Sequence, residues 1–262
     1  MTTAREKITR FYRGTEGEES AARLVDLAEQ AVRSRKFRAS DFLDPYGQEI
    51  AETVAANFDG VSVLFDGGYV GAERQKAAFV HRDFGGAPSF DIAAVRAEWN
   101  AEFAHLTHRD VLGSLTGLGV ERDRIGDILV SAGAARALTD RKMADFLITE
   151  WTTIGAAHVQ VEMDDAATIA PREERTKEIS ATVASLRADS VAAAGFGISR
   201  SRAASDIESE KLKLNWQPVK NASQAVKEGD VFSMRGRGRV EVVEVRGKTK
   251  KGRIGISLRR YL

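Results

Sequence analysis

Ten residues about two thirds of the way along the chain, PREERTKEIS from Pro171 to Ser180, are dominated by charge and hold almost no large apolar side chain. A stretch with nothing to bury marks a domain boundary, so the chain is expected to fold as separate units on either side of it. Its 262 residues are enough for two or three domains, each with its own core. The formal charge of +1 conceals a division near the same place. Met1 to Ala181 holds 22 Lys and Arg against 30 Asp and Glu, a net of −8, whereas Thr182 to Leu262 holds 17 against 8, a net of +9. Such asymmetry points to a polyanion-binding module attached to an acidic body, although a merely solvated basic tail would give the same totals.

Several function classes are disfavoured. With 43% hydrophobic and 29% charged residues the balance is that of a folded globular protein. No apolar run approaches bilayer length, and MTTAREKITRFYRG carries charges where a secretory signal needs an apolar stretch, so a cytoplasmic protein without a membrane span is expected. Without Cys there is no disulfide framework, thiolate zinc site or cysteine nucleophile. His81, His105, His108 and His158 do not match the spacing of a metal motif, and neither a metal nor a cofactor is expected.

From Arg5 to Arg35, Ile8, Phe11, Tyr12, Leu24, Leu27, Ala28 and Val32 recur at helical intervals across a polar break, which predicts two helices. A third helix is expected over Gln48 to Phe58 and a strand over Val61 to Phe65, after which GGYVGAER turns the chain into an apolar segment ending near Val80. From Pro88 to Asp164 the pattern runs strand (SFDIAAVRAEW), helix capped by Thr107, strand (GDILVS), strand (AARALT), helix capped by Asp140, strand (AHVQVEM). That β-α-β-β-α-β order is the ferredoxin-like plait, the topology of many RNA-recognition modules. Beyond the boundary, ADSVAAAGFG and SRSRAASDIES read as short helices, LKLNWQPV as a hairpin turning at Asn215-Trp216, and the turn KEGD leads into a strand-rich end.

Chemistry concentrates in the basic end. Ser199 is a good N-cap, which puts Arg200 and Arg202 in a helical first turn where backbone donors and the macrodipole already favour an anion. If MRGRGRV is extended, Arg235, Arg237 and Arg239 point to one face at intervals of roughly 6.6 Å, near the spacing of successive phosphates. Gly236 and Gly238 within it argue for a bend, a bulge or close backbone approach. RGKTKKGR adds Arg246, Lys248, Lys250, Lys251 and Arg253 with no acid among them. Trp216 at a hairpin tip suits stacking on an unpaired base, or equally packing on its own domain. Elsewhere, HRD at His108 to Asp110 lacks the other parts of a kinase catalytic loop and reads as a capped helix start. GGYVGAER lacks the terminal Lys-Ser or Lys-Thr of a phosphate loop and reads as a tight turn followed by an exposed Glu73-Arg74 pair.

The linked motifs Arg187-x-Asp189, Ser199-Arg-Ser-x-Ala203, Leu212 to Asn215 and Gly229-Asp230 resemble the S-four-type RNA-binding domain first known from a small-subunit ribosomal protein. Two positions depart from its pattern: Ala188 stands where Leu is usual, and Glu210 where Gly is frequent. GGYVGAER, LTHRDVLGSLTGLGVERDRIGDILV and the C-terminal RGRGRVEVVEVRGKTKKGRIGISLRRYL extend the likeness, from about Asp44 onward, to the YlmH family of bacterial proteins. That resemblance implies a non-catalytic protein associating with ribosomal RNA and tRNA on the large ribosomal subunit during rescue of stalled translation, and monomeric away from it.

The expectation is therefore an α+β chain with an N-terminal mixed domain (1–80), a central ferredoxin-like, RRM-like domain (81–170) and an S-four-type domain (182–262). Its RNA contacts are expected from Arg187, Ser199, Arg200, Arg202, Lys211, Lys213, Asn215, Trp216, Arg235, Arg237, Arg239, Lys250, Lys251 and Arg253. The principal alternative is an RNA-modifying enzyme of the pseudouridine synthase or methyltransferase type carrying the same small domain; no GxGxxG opens a helix for a methyl donor. A second alternative takes the helices around Gly197 as a DNA-binding helix-turn-helix.

Overall fold

Thr3 opens helix α1 (Ala4–Tyr12) with a capping box, its hydroxyl accepting from the Glu6 amide and the Glu6 carboxylate accepting from the Thr3 amide. Helix α2 (Glu18–Ser34) buries Ala21, Leu24, Val25, Ala28 and Ala31, the i, i+3, i+4 stripe that its sequence predicts. Arg5 ties the two together through Asp26 and Glu29. Strand β1 (Phe37–Leu43), helix α3 (Pro45–Ala56, capped by Asp44), strand β2 (Val61–Asp66) and strand β3 (Gln75–His81) complete an antiparallel sheet of order β1-β3-β2, with α2 and α3 packed over Ala77 and Phe79. The sequence pattern does not reveal β1. A register shift between Ala39 and Phe42 breaks its alternation, and the buried Ser40 hydroxyl, rather than an apolar group, accepts from the Ala77 amide.

The structure, a computed structural model, describes residues 3–170, 176–234, 236–249 and 252–261. The chain divides into two units, Met1–Arg172 and Glu173–Leu262.

In the second half of the first unit come β4 (Ile92–Glu98), α4 (His108–Gly117), β5 (Ile125–Ser131), β6 (Ala134–Asp140), α5 (Arg141–Glu150), a two-residue pair β7 (Thr153–Ile154) and β8 (Ala157–His158), and β9 (Gln160–Asp164). The sheet runs β5-β6-β4-β9 and is antiparallel throughout. Ala93, Val95 and Ala97 of β4 and Ala135 and Ala137 of β6 meet Val111 and Leu115 of α4 and Ala144 and Leu147 of α5 in one core, so both helices cover the same face. Small side chains on the strands let the helices sit close. Trp151 is buried there, its indole N–H donating to the Ser114 hydroxyl at 2.9 Å. The HRD segment starts α4 behind a Thr107–Asp110 capping box, as its sequence predicts; bonds from Thr107 hold the Asp110 carboxyl below its usual range.

The GGYVGAER segment joins the two halves of this unit. Asp127 of β5 accepts from the Tyr69 hydroxyl (2.7 Å) and from the amides of Glu73 (2.8 Å) and Arg74 (3.0 Å). Phe42 packs beside Ala94, Leu138 and Ile169, against Gly126, where a Cβ would come within 2.7 Å of the Phe42 ring. Arg74 is not exposed as expected. Its Nε donates to the Ile125 carbonyl and its Nη2 to the carbonyls of Phe42 and Arg122. Backbone carbonyls, rather than water, take up its N–H groups, which holds the side chain half-buried.

The second unit is β10 (Thr176–Val183), α6 (Ala188–Phe196), α7 (Arg200–Glu208), β11 (Leu212–Leu214), β12 (Gln217–Pro218), β13 (Val231–Met234), β14 (Gly238–Lys248) and β15 (Ile254–Tyr261), in a sheet of order β10-β15-β14-β13-β11-β12. Part of the expected linker is thus a strand. Thr176 to Ser180 pair with β15, whereas residues 171–175 lie outside the described residues. β10 is an edge strand with mostly exposed side chains, held by backbone bonds that need no apolar pattern. Val191, Ala192 and Phe196 of α6 and Ala203 and Ile207 of α7 pack on Phe232, Val240, Val242, Ile256 and Leu258. Gly195 lets α6 approach β14, since a Cβ there would lie 2.5 Å from Val240, and Gly197 (φ +64°) ends the helix in the left-handed region. Ala188 is fully buried in this core. Among the described residues no helix is long and apolar enough to cross a membrane.

Candidate nucleic-acid interface

Two buried carboxylates organise the basic side chains of the second unit. Asp189, in the first turn of α6, has a side chain only 5% exposed and accepts from Arg200 Nε at 2.9 Å and from Arg187 Nε at 3.3 Å. Burial, the largest single influence, pushes this carboxyl up, yet the hydrogen bonds and charges of Arg200 and Arg187 outweigh it and leave it below the ordinary carboxylate value. Asp206, in the last turn of α7, accepts from Arg202 Nε at 3.1 Å and has Lys211 Nζ at 4.0 Å. Ser199 caps α7 as expected, accepting from the Arg202 amide.

Each carboxylate grips its α7 arginine at Nε. The side chains of Arg200 and Arg202 remain 53% and 59% exposed, and their terminal nitrogens make no bond with other described residues. A guanidinium fixed at one edge presents its other donors with little further loss of freedom, the preorganisation a phosphate contact requires. Arg202, Lys211 and Arg237 gather with Asp206 and Met234 around one small hollow; Arg200 shares a second with Arg253.

Not all the expected residues join this side. MRGRGRV is not extended: Met234 pairs with Gly238, Gly236 (φ +79°) and Arg237 form the turn between β13 and β14, and Arg235 lies outside the described residues. Arg237, in the turn, and Arg239, in β14, therefore do not stand in one extended line. The glycines allow its positive φ angles and, at Gly238, close approach to the Tyr261 carbonyl, where a Cβ would lie at 2.8 Å. Val240 faces the helices, so Arg239 points to the other side of the sheet, with its guanidinium 5.1 Å from the Tyr261 ring centre. Lys213 lies in the same cross-strand row, Lys213–Ser233–Arg239–Tyr261.

Asn215 is used within the fold. Its amide donates to Asp230 and accepts from the Val231 N–H, clasping the hairpin to the KEGD turn. Asn215 and Trp216 take φ of 48° and 61°, the two-residue hairpin expected there, and Trp216 is half-buried at its tip. Arg253 donates to the Thr182 hydroxyl and carbonyl, and Lys250 and Lys251 lie outside the described residues. Sequence reasoning missed Asp206 and Tyr261. The i, i+4 spacing from Arg202 to Asp206 was the available signal for the first, while only strand pairing brings Tyr261 to Arg239.

In the first unit, the sheet face away from α4 and α5 offers no stacking platform. Its strands carry no aromatic residue, Phe42 and Ile169 pack against Ala94 and Leu138, and Arg136–Asp164 and Arg96–Glu98 ion pairs occupy further positions.

Two short helices on an antiparallel sheet, displaying arginines from buried carboxylates, define an RNA-binding class of small domain, and residues 186–232 match the family described as "S4 domain". Residues 16–84 match "YlmH, N-terminal" and 87–168 match "Putative RNA-binding domain in YlmH". The chain belongs to the YlmH family. It is 33% identical over 226 residues to ribosome-associated protein quality control protein P2 of Bacillus subtilis (strain 168), covering 86% of this chain and 88% of that one. A solved structure, cell division protein ylmH from Streptococcus pneumoniae, is 22% identical, covers 57% of this chain and 91% of that one, and superposes with a TM-score of 0.49.

Proposed function

We propose that this chain is a non-catalytic, cytoplasmic RNA-binding protein that works on the ribosome, where its S4 domain contacts ribosomal RNA and tRNA on the large subunit during quality control of stalled translation. The carrying observation is the pair Arg200 and Arg202, each held at Nε by a buried carboxylate with its outer donors unspent. Lys211 and Arg237 extend that surface, with Trp216 as a stacking group at the hairpin tip. The name of the Bacillus subtilis relative supports the ribosomal setting. The strand order of the central sheet supports a ferredoxin-like plait between residues 81 and 170.

The test is co-sedimentation of the full chain with large ribosomal subunits across a salt series. The double variant R200A/R202A binds more weakly at every ionic strength, and its log–log salt slope falls by about 2, near one unit for each lost phosphate contact. Arg237→Ala, which leaves both buried carboxylates paired, weakens binding without changing the melting temperature. Wild-type binding curves for both variants would remove this surface from the reading.

A further inference from the structure

The first unit contains a cleft of about 780 Å³ between α2, β1 and the turn Glu121–Asp123, and at its inner wall lie two arginines, Arg74 and Arg122. Arg122 Nη1 donates to the carbonyls of Ile125 (2.6 Å) and Gly126 (3.2 Å), and Arg74 Nε donates to that same Ile125 carbonyl (3.0 Å). Two like charges therefore meet at one oxygen. Burial lowers the proton affinity of both, and for Arg122 the adjacent Arg74 charge adds to it, bringing it to about 10; both remain cations at neutral pH.

Neither guanidinium has a carboxylate within ion-pair distance among the described residues, although acids line the same cleft. Asp26 bonds Arg5, Asp41 bonds Arg124, Asp44 accepts from the Gly47 amide and Asp123 pairs with Arg23; Glu121 lines the cleft as well, and the charges of Asp44, Asp127 and Glu73 reach both arginines only from beyond ion-pair distance. Arg74 Nη1 and Arg122 Nε and Nη2 make no bond to other described residues, and none is sealed from solvent. Both guanidiniums thus lack a direct ion-pair partner and keep N–H groups unspent, and an anion entering the cleft would take up those donors.

We propose that this cleft is a phosphate-binding site, in which Arg74 and Arg122 together hold a phosphate group, free or at the end of a small ester. Two guanidiniums supply the fork geometry that matches phosphate oxygens, and the volume accepts a group of nucleotide size. Arg74 belongs to the GGYVGAER turn and Arg122 to the segment before β5, so an occupied site would also tie the two halves of the first unit more firmly.

The experiment titrates full-length protein with inorganic phosphate at millimolar concentration, sodium chloride being withdrawn to keep ionic strength constant. The side-chain Nε–H resonances of Arg74 and Arg122 are followed by NMR. Saturable shifts at both are expected, and Arg122→Gln weakens the interaction about tenfold or more, the loss expected for hydrogen bonds to a charged group. Adenosine monophosphate, run in parallel, separates the two sources: tighter binding than inorganic phosphate identifies an ester, weaker binding the free anion. Absence of saturable shifts at Arg74 and Arg122, shifts confined to Arg200 and Arg202, or undiminished phosphate binding by Arg122→Gln overturns the proposal. Because the wild-type resonances report directly, a variant that folds poorly leaves the test intact.

Discussion

Replacing Glu210 by Gly should stabilise the second unit and tighten its hold on RNA at once. Helix α7 ends in a Schellman motif: the Glu210 amide donates to the Ile207 carbonyl and the Lys211 amide to the Asp206 carbonyl, both at 2.9 Å. That closure puts Glu210 at φ 55°, left-handed backbone that costs a residue with a Cβ about 1–2 kcal/mol. Glycine removes this strain but is freer in the unfolded chain, which returns about 0.5–1 kcal/mol. Removing a carboxylate from the negative end of a helix adds roughly 0.3 kcal/mol. The net gain is about 1 kcal/mol, which for a unit of this size raises the melting midpoint by about 4–8 °C. Calorimetry of the full chain, with amide exchange assigning the transition, measures the shift. The Glu210 and Lys211 amides should become better protected in the variant. RNA affinity should rise modestly as well, because Glu210 adjoins Lys211 and lies three residues from Lys213. An unchanged or lowered midpoint, with protection at those two amides also unchanged, would refute the assignment of strain to this position.

Asp127→Ala removes the acceptor for Tyr69, Glu73 and Arg74; at about 1 kcal/mol per bond once partial exposure is discounted, urea denaturation should show the first unit weakened by about 3 kcal/mol. Asp189, with its carboxyl held below the ordinary aspartate value of 3.8, contributes stability that is complete above that value and lost as pH falls through the lower folded one. Urea midpoints of the second unit should therefore drop steeply below about pH 4, and Asp189→Asn should be less stable at neutral pH and flatter toward acid.

The arrangement around Asp189 and Asp206 separates two tasks that would otherwise compete. An arginine must be fixed to recognise a phosphate efficiently, and its outer donors must stay uncommitted. A buried acceptor at Nε does both, and the desolvation cost of that acceptor is offset within the domain by the same arginine. Removing either acid should consequently affect RNA binding and stability together, whereas removing Arg237 affects binding alone.

Local chemistry made much of this protein legible as sequence. Thr107, Asp140 and Ser199 cap helices by side-chain bonds spanning three residues, Asn215-Trp216 turns a hairpin, and α2 declares its buried stripe, because each depends on neighbours along the chain. The charge division likewise identified the half that displays its cations. What lay beyond reach was set by pairing across distance. β1 and β10 are strands because β3 and β15 lie beside them, and Arg239 faces Tyr261 rather than Arg200 because a hairpin closes at Gly236. Arg74 looked exposed in a turn of polar and small residues, but the contact of Phe42 with Leu138 and the carboxylate of Asp127 bring it beside Arg122, nearly fifty positions later. Hydrogen bonds within a turn are encoded by spacing; which side of a sheet a residue faces, and which distant charge it meets, is decided only when strands take their register.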